Sequence, residues 1–333
     1  MEWTKEQPFQ ALALTGGGYR GLFTARVLQK IEEHHKKPIA TCFDLVSGTS
    51  IGGIIALAAA FEIPMSRVVE VFCEDGETIF PFHEKPTTIR GQVWDFLRHL
   101  RRPRYAASNL RDTIAKLIPE DTLLGEALHP VAIPAVNVTM GEPQVFKTRH
   151  KETWTRDCKF KVVDIALATA AAPTFFELAE VESNVYADGG LFANAPDLVA
   201  MHEAEHYFGV PKENFRLLSI GTTTRNYSIA RSLGRQFGVS DWMAGQRLFS
   251  VIISAQQQFV EQIVRHRLED RYLRIDHVAG DEQAGDLGLD VATEAAKKTL
   301  LGLADKHASN VMGDKLPLFL SHLPQLQLFK GEK

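Results

Sequence analysis

Ser50 lies in the segment GTSIG at residues 48–52, which matches the G-x-S-x-G pattern of a nucleophilic serine. The apolar stretch 43–46 precedes this segment and the apolar run 54–60 follows it, which predicts a strand, a sharp turn and a buried helix. A turn this tight strains the serine backbone and leaves no room for Cβ atoms at positions 48 and 52, so both are glycine. The spacing therefore predicts a nucleophile elbow, and amides at the start of the following helix would face an oxyanion there.

A second glycine-rich segment, TGGGYRG at residues 15–21, lies between an apolar strand and a predicted helix. The consecutive glycines Gly16, Gly17 and Gly18 allow the backbone to turn its amides outward into a concave nest that binds an anion. A nucleotide loop is disfavoured, because the sequence has neither G-K-[ST] nor G-x-G-x-x-G with a suitably placed acidic residue. We therefore expect an oxyanion hole, in which Arg20 supports the loop or meets a lipid phosphate.

The third candidate is Asp188, which begins the sequence D-G-G at the end of a predicted strand. The two glycines that follow favour a backbone bend, which holds the carboxylate near that bend instead of on a solvated face. A lone D-G-G is usually only a turn. Its weight as a functional motif comes from the two motifs that precede it.

The three motifs G-G-G-x-R-G, G-x-S-x-G and D-G-G, in this order, resemble those of the patatin-like phospholipases. The resemblance includes segments 171–176 and 217–222 and spans about the first two-thirds of the chain. Two positions depart from the family pattern: the segment 193–196 lacks a second asparagine that many relatives carry, and Thr223 stands where relatives often have glycine. The resemblance implies a three-layer α/β/α fold with a mainly parallel central sheet, and lipid acyl hydrolysis without a cofactor or a metal.

The family uses a Ser/Asp dyad without a histidine, and the resemblance carries these roles to Ser50 and Asp188. Ser50 would attack the ester carbonyl, Asp188 would accept its proton, and the amides of Gly17 and Gly18 would stabilise the oxyanion. A carboxylate is a weak base for a serine hydroxyl. Burial in a dry cleft raises the carboxyl pKa and improves its basicity, which is the physical solution the family fold offers.

Two other hydrolytic arrangements are possible on the sequence. A Ser–Asp–His triad needs a histidine after Asp188, and His202 and His206 follow it on a predicted helix. Their spacing puts both on one helical face, and the segment HEAEH also matches the H-E-x-x-H zinc signature. We favour a solvated amphipathic helix, because no third metal ligand is evident and the patatin-like motifs already account for the chain.

Composition limits the class of protein. The chain has 333 residues, 45% of them hydrophobic, and a net charge of −4, which allows a sizeable core and argues against nucleic-acid binding. Three cysteines without framework spacing fit buried thiols in a reducing cytosol. No signal peptide is visible, and the apolar run 51–61 is far shorter than the roughly 20 residues of a membrane span. We therefore expect a cytoplasmic protein that acts peripherally at the inner face of the cell membrane.

Strand-like and helix-like segments alternate, as in an α/β fold with a mainly parallel sheet. The predicted strands are Phe9–Leu14, Cys42–Val46, Val131–Val138, Val145–Thr148, Asn184–Ala187, Phe215–Ile220 and Tyr272–Ile275. The predicted helices are Leu22–His34, Gly52–Phe61, Ser66–Asp75, Asn109–Leu117, Val162–Ala170, Leu198–Tyr207, Trp242–Glu269 and Val291–His307. We expect one patatin-like domain over residues 1–333, with its core at about 8–225 and a helical extension at about 240–333.

Two segments are candidates for contact with a phospholipid membrane surface. Residues 76–103 are irregular and rich in aromatics and proline, and they fit a lid or an ordinary packed insertion equally well. The basic cluster at residues 98–104 would attract anionic headgroups, although a charge run is more often a solvated face.

The carboxy-terminal third has a long predicted amphipathic helix, which would pack on the sheet or on a partner subunit in a homo-oligomer. A cluster of arginines follows: Arg265, Arg267, Arg271 and Arg274. With the start of the chain, this part resembles bacterial patatin-like effectors of anti-phage signalling systems, which a cyclic di- or trinucleotide activates. The resemblance implies that arginines and aromatics such as Trp242 would hold such an activator. A structural ion-pair network is the favoured alternative, and no ligand residue is assigned.

The sequence thus predicts a phospholipase A-type lipid acyl hydrolase that degrades membrane phospholipids and responds to a cyclic nucleotide in anti-phage defence. The alternative is a regulatory or ligand-sensing patatin-like domain with little lipase activity. The intact Ser50, Asp188 and glycine nest favour the enzyme, because a domain retained only for binding has no need of all three.

Overall fold

The computed structural model describes residues 8–81, 102–224, 227–243, 247–280, 283, 286–313 and 315–325. The strands are β1 Phe9–Leu14, β2 Leu45–Gly48, β3 Val131–Asn137, β4 Glu142–Lys147, β5 Ala179–Val181, β6 Asn184–Asp188, β7 Phe215–Ile220 and β8 Tyr272–Ile275. The α-helices are α1 Gly21–His35, α2 Ile51–Ala60, α3 Met65–Ile79, α4 Ala107–Ala115, α5 Val162–Ala170, α6 Gly190–Ala193, α7 Asp197–His202, α8 Val239–Met243, α9 Arg247–Leu268, α10 Glu294–Met312 and α11 Leu316–Leu320. Residues 82–101, which hold most of the predicted lid and of the basic cluster, lie outside the described part.

The eight strands form one sheet in the order β5-β6-β3-β2-β1-β7-β8, with β4 paired to β3. Five neighbouring strands are parallel, in the order β3, β2, β1, β7 and β8. Strands β4 and β6 run antiparallel to β3. Helices cover both faces, so the predicted α/β class with a mainly parallel sheet is confirmed.

Strand β1 shows why the sequence reads as continuously apolar there. All six of its residues are buried, and successive side chains enter different cores. Leu12 and Leu14 join the larger core, under α1, α2, α3 and α5, while Ala11 and Ala13 join the core beneath α7 and α9. A strand covered on both faces alternates between two apolar layers instead of between core and solvent.

Strand β3 changes its partner halfway along one edge. Strand β4 occupies the other edge over residues 132–137. On the shared edge, Ser47 of β2 lies opposite Ala132, and Asp188 of β6 lies opposite Ala135. Strand β2 leaves the sheet at Gly48, and the antiparallel β6 ends beside that point. The ends of β2 and β6 therefore meet head to head, which places Asp188 next to the turn that follows Gly48.

The predicted elements agree with the structure for most of the chain, and three short elements lie wholly outside the predicted ones. Strand β5 has three residues, helix α6 has four and helix α11 has five, too few for a periodic pattern to show. The predicted helix Leu198–Tyr207 has a π-helical second half, because the α-helix ends at His202. Within the described ranges, no helix is both long and apolar enough to cross a membrane.

The elbow glycines yield a test of the fold. A Cβ atom on Gly52 would collide with the backbone carbonyl of Leu14, whereas one on Gly302, in an exposed part of α10, meets no atom within 4 Å. We expect Gly52→Ala to lower the free energy of unfolding by at least about 2 kcal/mol, because backbone atoms must move. The control Gly302→Ala should raise it by up to about 1 kcal/mol, because alanine favours the helix. Urea unfolding of both variants measures this, and equal effects would contradict the packing described for the elbow.

Candidate active site

Ser50 occupies the turn between β2 and α2 in a conformation that L-residues rarely adopt. Its φ is +55° and its ψ is −127°, which is outside the ordinary allowed regions. Close approach explains the flanking glycines: a Cβ on Gly48 would strike the carbonyl of Gly52. The backbone therefore makes the sharp, strained turn that the sequence predicts between strand and helix, and this strain holds the serine hydroxyl at the surface of a cleft.

The Ser50 hydroxyl donates a hydrogen bond to the carboxylate of Asp188. The distance from Ser50 Oγ to Asp188 Oδ2 is 2.7 Å, and the other carboxylate oxygen accepts from the amide of Gly190 at 2.6 Å. Asp188 is only 2% exposed. This burial raises the pKa of Asp188 to about 7, although the two hydrogen bonds oppose the shift.

Thr169 connects the turn to β3. Its hydroxyl accepts from the amide of Ser50 at 3.0 Å and donates to the carbonyl of Pro134 at 2.6 Å. Thr49, which directly precedes Ser50, donates a hydrogen bond from its hydroxyl to the carbonyl of Ala193 at 2.6 Å. Two threonines thus tie the strained serine to the strand and to the segment that follows Asp188.

The glycine nest lies against Ser50. A Cβ on Gly16 would approach the Cβ of Ser50 to 3.1 Å, and the Gly16 amide donates to the carbonyl of Asn194 at 2.9 Å. Gly18 has a φ of +57°. Among the described residues, no acceptor is found for the amides of Gly17 and Gly18. Of the residues assigned to the oxyanion loop, Gly16 therefore supports the loop, and Gly17 and Gly18 have amides to offer.

Arg20 also supports this loop. It is 8% exposed, and its guanidinium donates to the carbonyl oxygens of Gly17, at 3.3 Å, and Thr223, at 3.1 Å. Between the two roles expected for Arg20, the contacts favour loop support. Thr223 has a φ of +60°, a conformation that glycine adopts more easily than threonine.

The dyad faces an apolar cleft. The Ser50 hydroxyl and the Asp188 carboxylate meet a wall of aliphatic and aromatic side chains. The apolar lining includes Ile51, Ile54, Phe72, Ile79, Phe80, Leu110, Phe175, Phe176, Phe249, Ile253 and Leu289. The described residues contribute no histidine to this lining. The cleft can therefore hold a hydrocarbon chain beside the serine and keep water away from the carboxylate.

Helix α9, in the carboxy-terminal extension, braces the site. Gln256 accepts from the amide of Asn194 at 2.5 Å, and Gln257 accepts from the Asn194 side chain at 3.3 Å. The side-chain amide of Asn194 also donates to the backbone carbonyl of Gly16 at 3.3 Å. Asn194 thus joins the glycine nest, the segment after Asp188 and α9 in one hydrogen-bonded unit.

The two histidines considered for a triad or a zinc site lie elsewhere. His202 and His206 are exposed, and their rings stack at 5.2 Å outside the cleft lining. The described part of the chain contains no group of three or more potential metal ligands. On the buried face of this amphipathic helix, Glu203 pairs with Lys147 at 2.6 Å and His150 at 3.3 Å.

The arginine cluster of the carboxy-terminal third is engaged within the chain. Arg265 pairs with Glu261 and Arg267 with Glu205, at 2.6 and 2.8 Å. Arg271 donates to the Lys212 carbonyl at 2.7 Å. Arg274 is buried and binds Asp276 at 2.6 Å. These contacts favour the structural network over an assembled phosphate site, and Trp242 contacts the ring of Phe237.

Three residues of the site were missed as functional from the sequence: Thr169, Asn194 and Thr222. Thr169 is the one hydroxyl in the otherwise apolar stretch of α5 from residue 165 to 170, which is a readable signal. Thr222 donates to the Gly16 carbonyl at 3.1 Å, and its side chain fills the space that a Cβ on Gly17 would need. No local pattern marks Asn194 or Thr222, because their partners come from distant parts of the chain.

Burial of Asp188 predicts a pH-dependent stability. An unfolded aspartate has a pKa of about 3.9, so between pH 4 and pH 7 the unfolded chain is ionised while the folded carboxyl keeps its proton. The stability from this raised pKa is present below pH 4 and is lost as the pH rises to about 7. A shift of this size amounts to roughly 4 kcal/mol.

Asp188→Asn removes the titration. The difference in free energy of unfolding between Asp188→Asn and the native chain should therefore grow in favour of the variant from pH 4 to pH 7 and level off above it. Urea unfolding at pH 4.5, 6 and 8 measures this difference. A difference that shrinks as the pH rises would contradict a raised pKa.

Comparison with known proteins agrees with this geometry. A family model described as patatin-like phospholipase matches residues 12–201. The cGAMP-activated phospholipase of Pseudomonas aeruginosa is 38% identical over 314 residues, which cover 93% of this chain and 90% of that protein. The protein of the same name from Escherichia coli is 35% identical over 313 residues, which cover 87% of this chain and 86% of that protein.

Among solved structures, VipD from Legionella pneumophila is 12% identical with a TM-score of 0.37, and the match covers 90% of this chain and 67% of VipD. The family model covers more than half of the chain, and the relatives are matched over most of their length. The chain therefore belongs to the patatin-like phospholipase family.

Proposed function

We propose that this phospholipase cleaves acyl esters of membrane phospholipids with Ser50 as the nucleophile and Asp188 as the general base. The observation that carries this assignment is the 2.7 Å hydrogen bond from the Ser50 hydroxyl to a buried carboxylate. A nucleophile and a base within hydrogen-bond reach are the minimum that acyl transfer needs.

In the first half-reaction, Ser50 Oγ attacks the ester carbonyl carbon while its proton passes to Asp188 Oδ2. The tetrahedral intermediate collapses by breaking the bond to the alcohol, and Asp188 returns the proton to the leaving oxygen of the lysophospholipid. In the second half-reaction, water attacks the acyl-serine ester and gives its proton to Asp188. Fatty acid then leaves, and Ser50 recovers its hydrogen.

The environment of Asp188 supports its role as a base. A pKa of about 7 makes the carboxylate a better proton acceptor than a solvated aspartate and still leaves it largely ionised slightly above neutral pH. The amide of Gly190 orients the second oxygen, so the lone pair that faces Ser50 is the one available for proton transfer.

The amides of Gly17 and Gly18 are the proposed oxyanion donors. Their loop is fixed by Arg20, Thr222 and Asn194 and lies against Ser50, so the donors need no rearrangement when negative charge develops. The start of α2 adds the positive end of a helix dipole behind the serine.

We also propose that cGAMP activates this chain at a membrane surface. The relatives from Pseudomonas aeruginosa and Escherichia coli, which it matches over 90% and 86% of their length, are named cGAMP-activated phospholipases. The arginines of the carboxy-terminal cluster are already engaged in the chain, so no residue is assigned to the activator. A role in anti-phage signalling, a homo-oligomer and a location at the inner membrane face stay predictions of the resemblance.

Release of fatty acid from phosphatidylethanolamine/phosphatidylglycerol vesicles tests the proposed function. We expect release by the native chain with cGAMP, and a loss of at least about 1000-fold in Ser50→Ala, because the nucleophile is removed. Ser66→Ala, an exposed serine on α3, is the control and should match the native chain. Each protein is assayed alone, with cGAMP and with a cyclic trinucleotide.

The outcomes separate the parts of the proposal. Release that survives in Ser50→Ala would contradict the catalytic assignment. Release that depends on Ser50 but not on any nucleotide would contradict the activator and leave the dyad intact. No release under any condition would favour the alternative, a ligand-sensing domain with little lipase activity.

A further inference from the structure

The first half of α9 presents two apolar stripes. Phe249 and Ile253 line the cleft beside Ser50. Leu248 and Ile252, 44% and 38% exposed, form a second stripe four residues apart. At 100° per residue, this second stripe lies about a quarter turn from the first. The outer stripe therefore adjoins the cleft-lining stripe around the same helix, and it is exposed to solvent.

Helix α8 carries a second exposed apolar pair. Val239 and Met243 lie four residues apart and are 82% and 45% exposed, and α8 contacts α9. Phe237 and Trp242 stabilise the segment by a ring contact of 5.5 Å. We call the set Val239, Met243, Leu248 and Ile252 the apolar rim. Large apolar side chains that are exposed together, and not singly, mark an interaction site.

Two basic side chains lie in the segment that leads into α8. Arg231 and Arg235 are exposed, and in the described part of the chain no carboxylate lies within ion-pair distance of either. The carboxylate of Asp241 on α8 accepts from the amide of Gly238 at 2.9 Å, and Arg247 donates to the carbonyl of Asp241 at 2.8 Å. The chain just before the rim therefore carries two exposed cations without a carboxylate partner, in a chain whose net charge is −4.

We propose that the apolar rim, with Arg231 and Arg235, is the surface that docks on a bilayer containing anionic phospholipids. The inference rests on the proposed function, because it takes the substrate to be a phospholipid held in a membrane. An acyl chain that leaves the bilayer at the rim passes directly along Phe249 and Ile253 to Ser50. The arginines face the negative headgroups while the apolar side chains enter the acyl boundary.

The bilayer fits this surface better than a second copy of the chain. A second copy on the rim would cover the entrance to the cleft and would need acidic groups opposite Arg231 and Arg235. A bilayer leaves the cleft in contact with substrate, supplies the negative charge and requires no membrane-spanning helix.

Vesicle binding tests the docking surface. Every protein carries Ser50→Ala, so the phosphatidylethanolamine/phosphatidylglycerol vesicles stay intact, and binding is measured by flotation with and without cGAMP. We expect Leu248→Asp with Ile252→Asp to weaken binding at least about tenfold, because charge replaces the inserted apolar groups. The control is Leu128→Asp. Leu128 is 55% exposed, and its backbone amide donates to the carbonyl of Ala60, which lies at the end of α2 that is distant from the cleft. It should bind within about twofold of its parent.

A second variant tests the charges. Arg231→Gln with Arg235→Gln should weaken binding to vesicles with phosphatidylglycerol about tenfold and have little effect on the weaker binding to phosphatidylcholine vesicles. Equal binding of the rim variant and its parent would overturn the proposal, as would equal loss in Leu128→Asp or an absence of vesicle binding by the parent. Dissociation of a dimer by the rim substitutions would instead assign the rim to a second copy.

A readout that needs no membrane separates this inference from the proposed function. Hydrolysis of a water-soluble short-chain ester is measured in chains that keep Ser50, with and without the rim substitutions. We expect the rim variant to hydrolyse this ester like the native chain while it loses vesicle binding. Loss of ester hydrolysis in the rim variant would overturn the assignment as a docking surface. Failure of the native chain to hydrolyse any ester would count against the proposed function alone.

Discussion

The carboxylate of Asp188 is almost completely removed from water, and the rest of the site depends on how that cost is met. A buried charge without compensation is expensive, and within the described part of the chain the hydrogen bonds to this side chain come from Ser50 and Gly190. Neither donor is a cation. The pKa of the Asp188 carboxyl therefore lies close to neutral pH, where the group can both accept and release a proton. An ion pair at this position would stabilise the charge and remove the basicity that proton transfer needs.

The topology of the sheet brings the side chains of Ser50 and Asp188 together. Because β2 and β6 end head to head on one edge of β3, the serine and the aspartate come from segments 138 residues apart and still share a hydrogen bond. Thr169 and Asn194 then fix the surrounding backbone. The contacts from Gln256 and Gln257 show that the carboxy-terminal extension is part of the site. A change in the position of α9 would therefore act on both the cleft and the oxyanion loop.

The sequence predicted what local pattern encodes. The limits of β1, β7 and β8 were right because apolar runs bounded by turn residues mark buried strands. Ser50 and Asp188 could be singled out because each lies in a short motif, and the structure joins them by a hydrogen bond. Short elements such as β5 carry too few residues for such a pattern. The bracing role of Asn194 and the engagement of Arg274 by Asp276 depend on tertiary contacts, which a single sequence does not display. The same holds for Gly16, whose amide is used inside the fold although its type and position suited an oxyanion hole.

If buried Asp188 activates Ser50, the rate at which a fluorophosphonate labels Ser50 covalently must follow the ionisation of Asp188. We expect one adduct, on the peptide that contains Ser50. Its rate of formation should increase as the pH rises through about 7 and then stay constant. In Asp188→Asn the same adduct should form at least about 100-fold more slowly at pH 8, because the proton acceptor is gone. A labelling rate that is independent of pH, or one that Asp188→Asn leaves unchanged, would contradict the activation of Ser50 by Asp188.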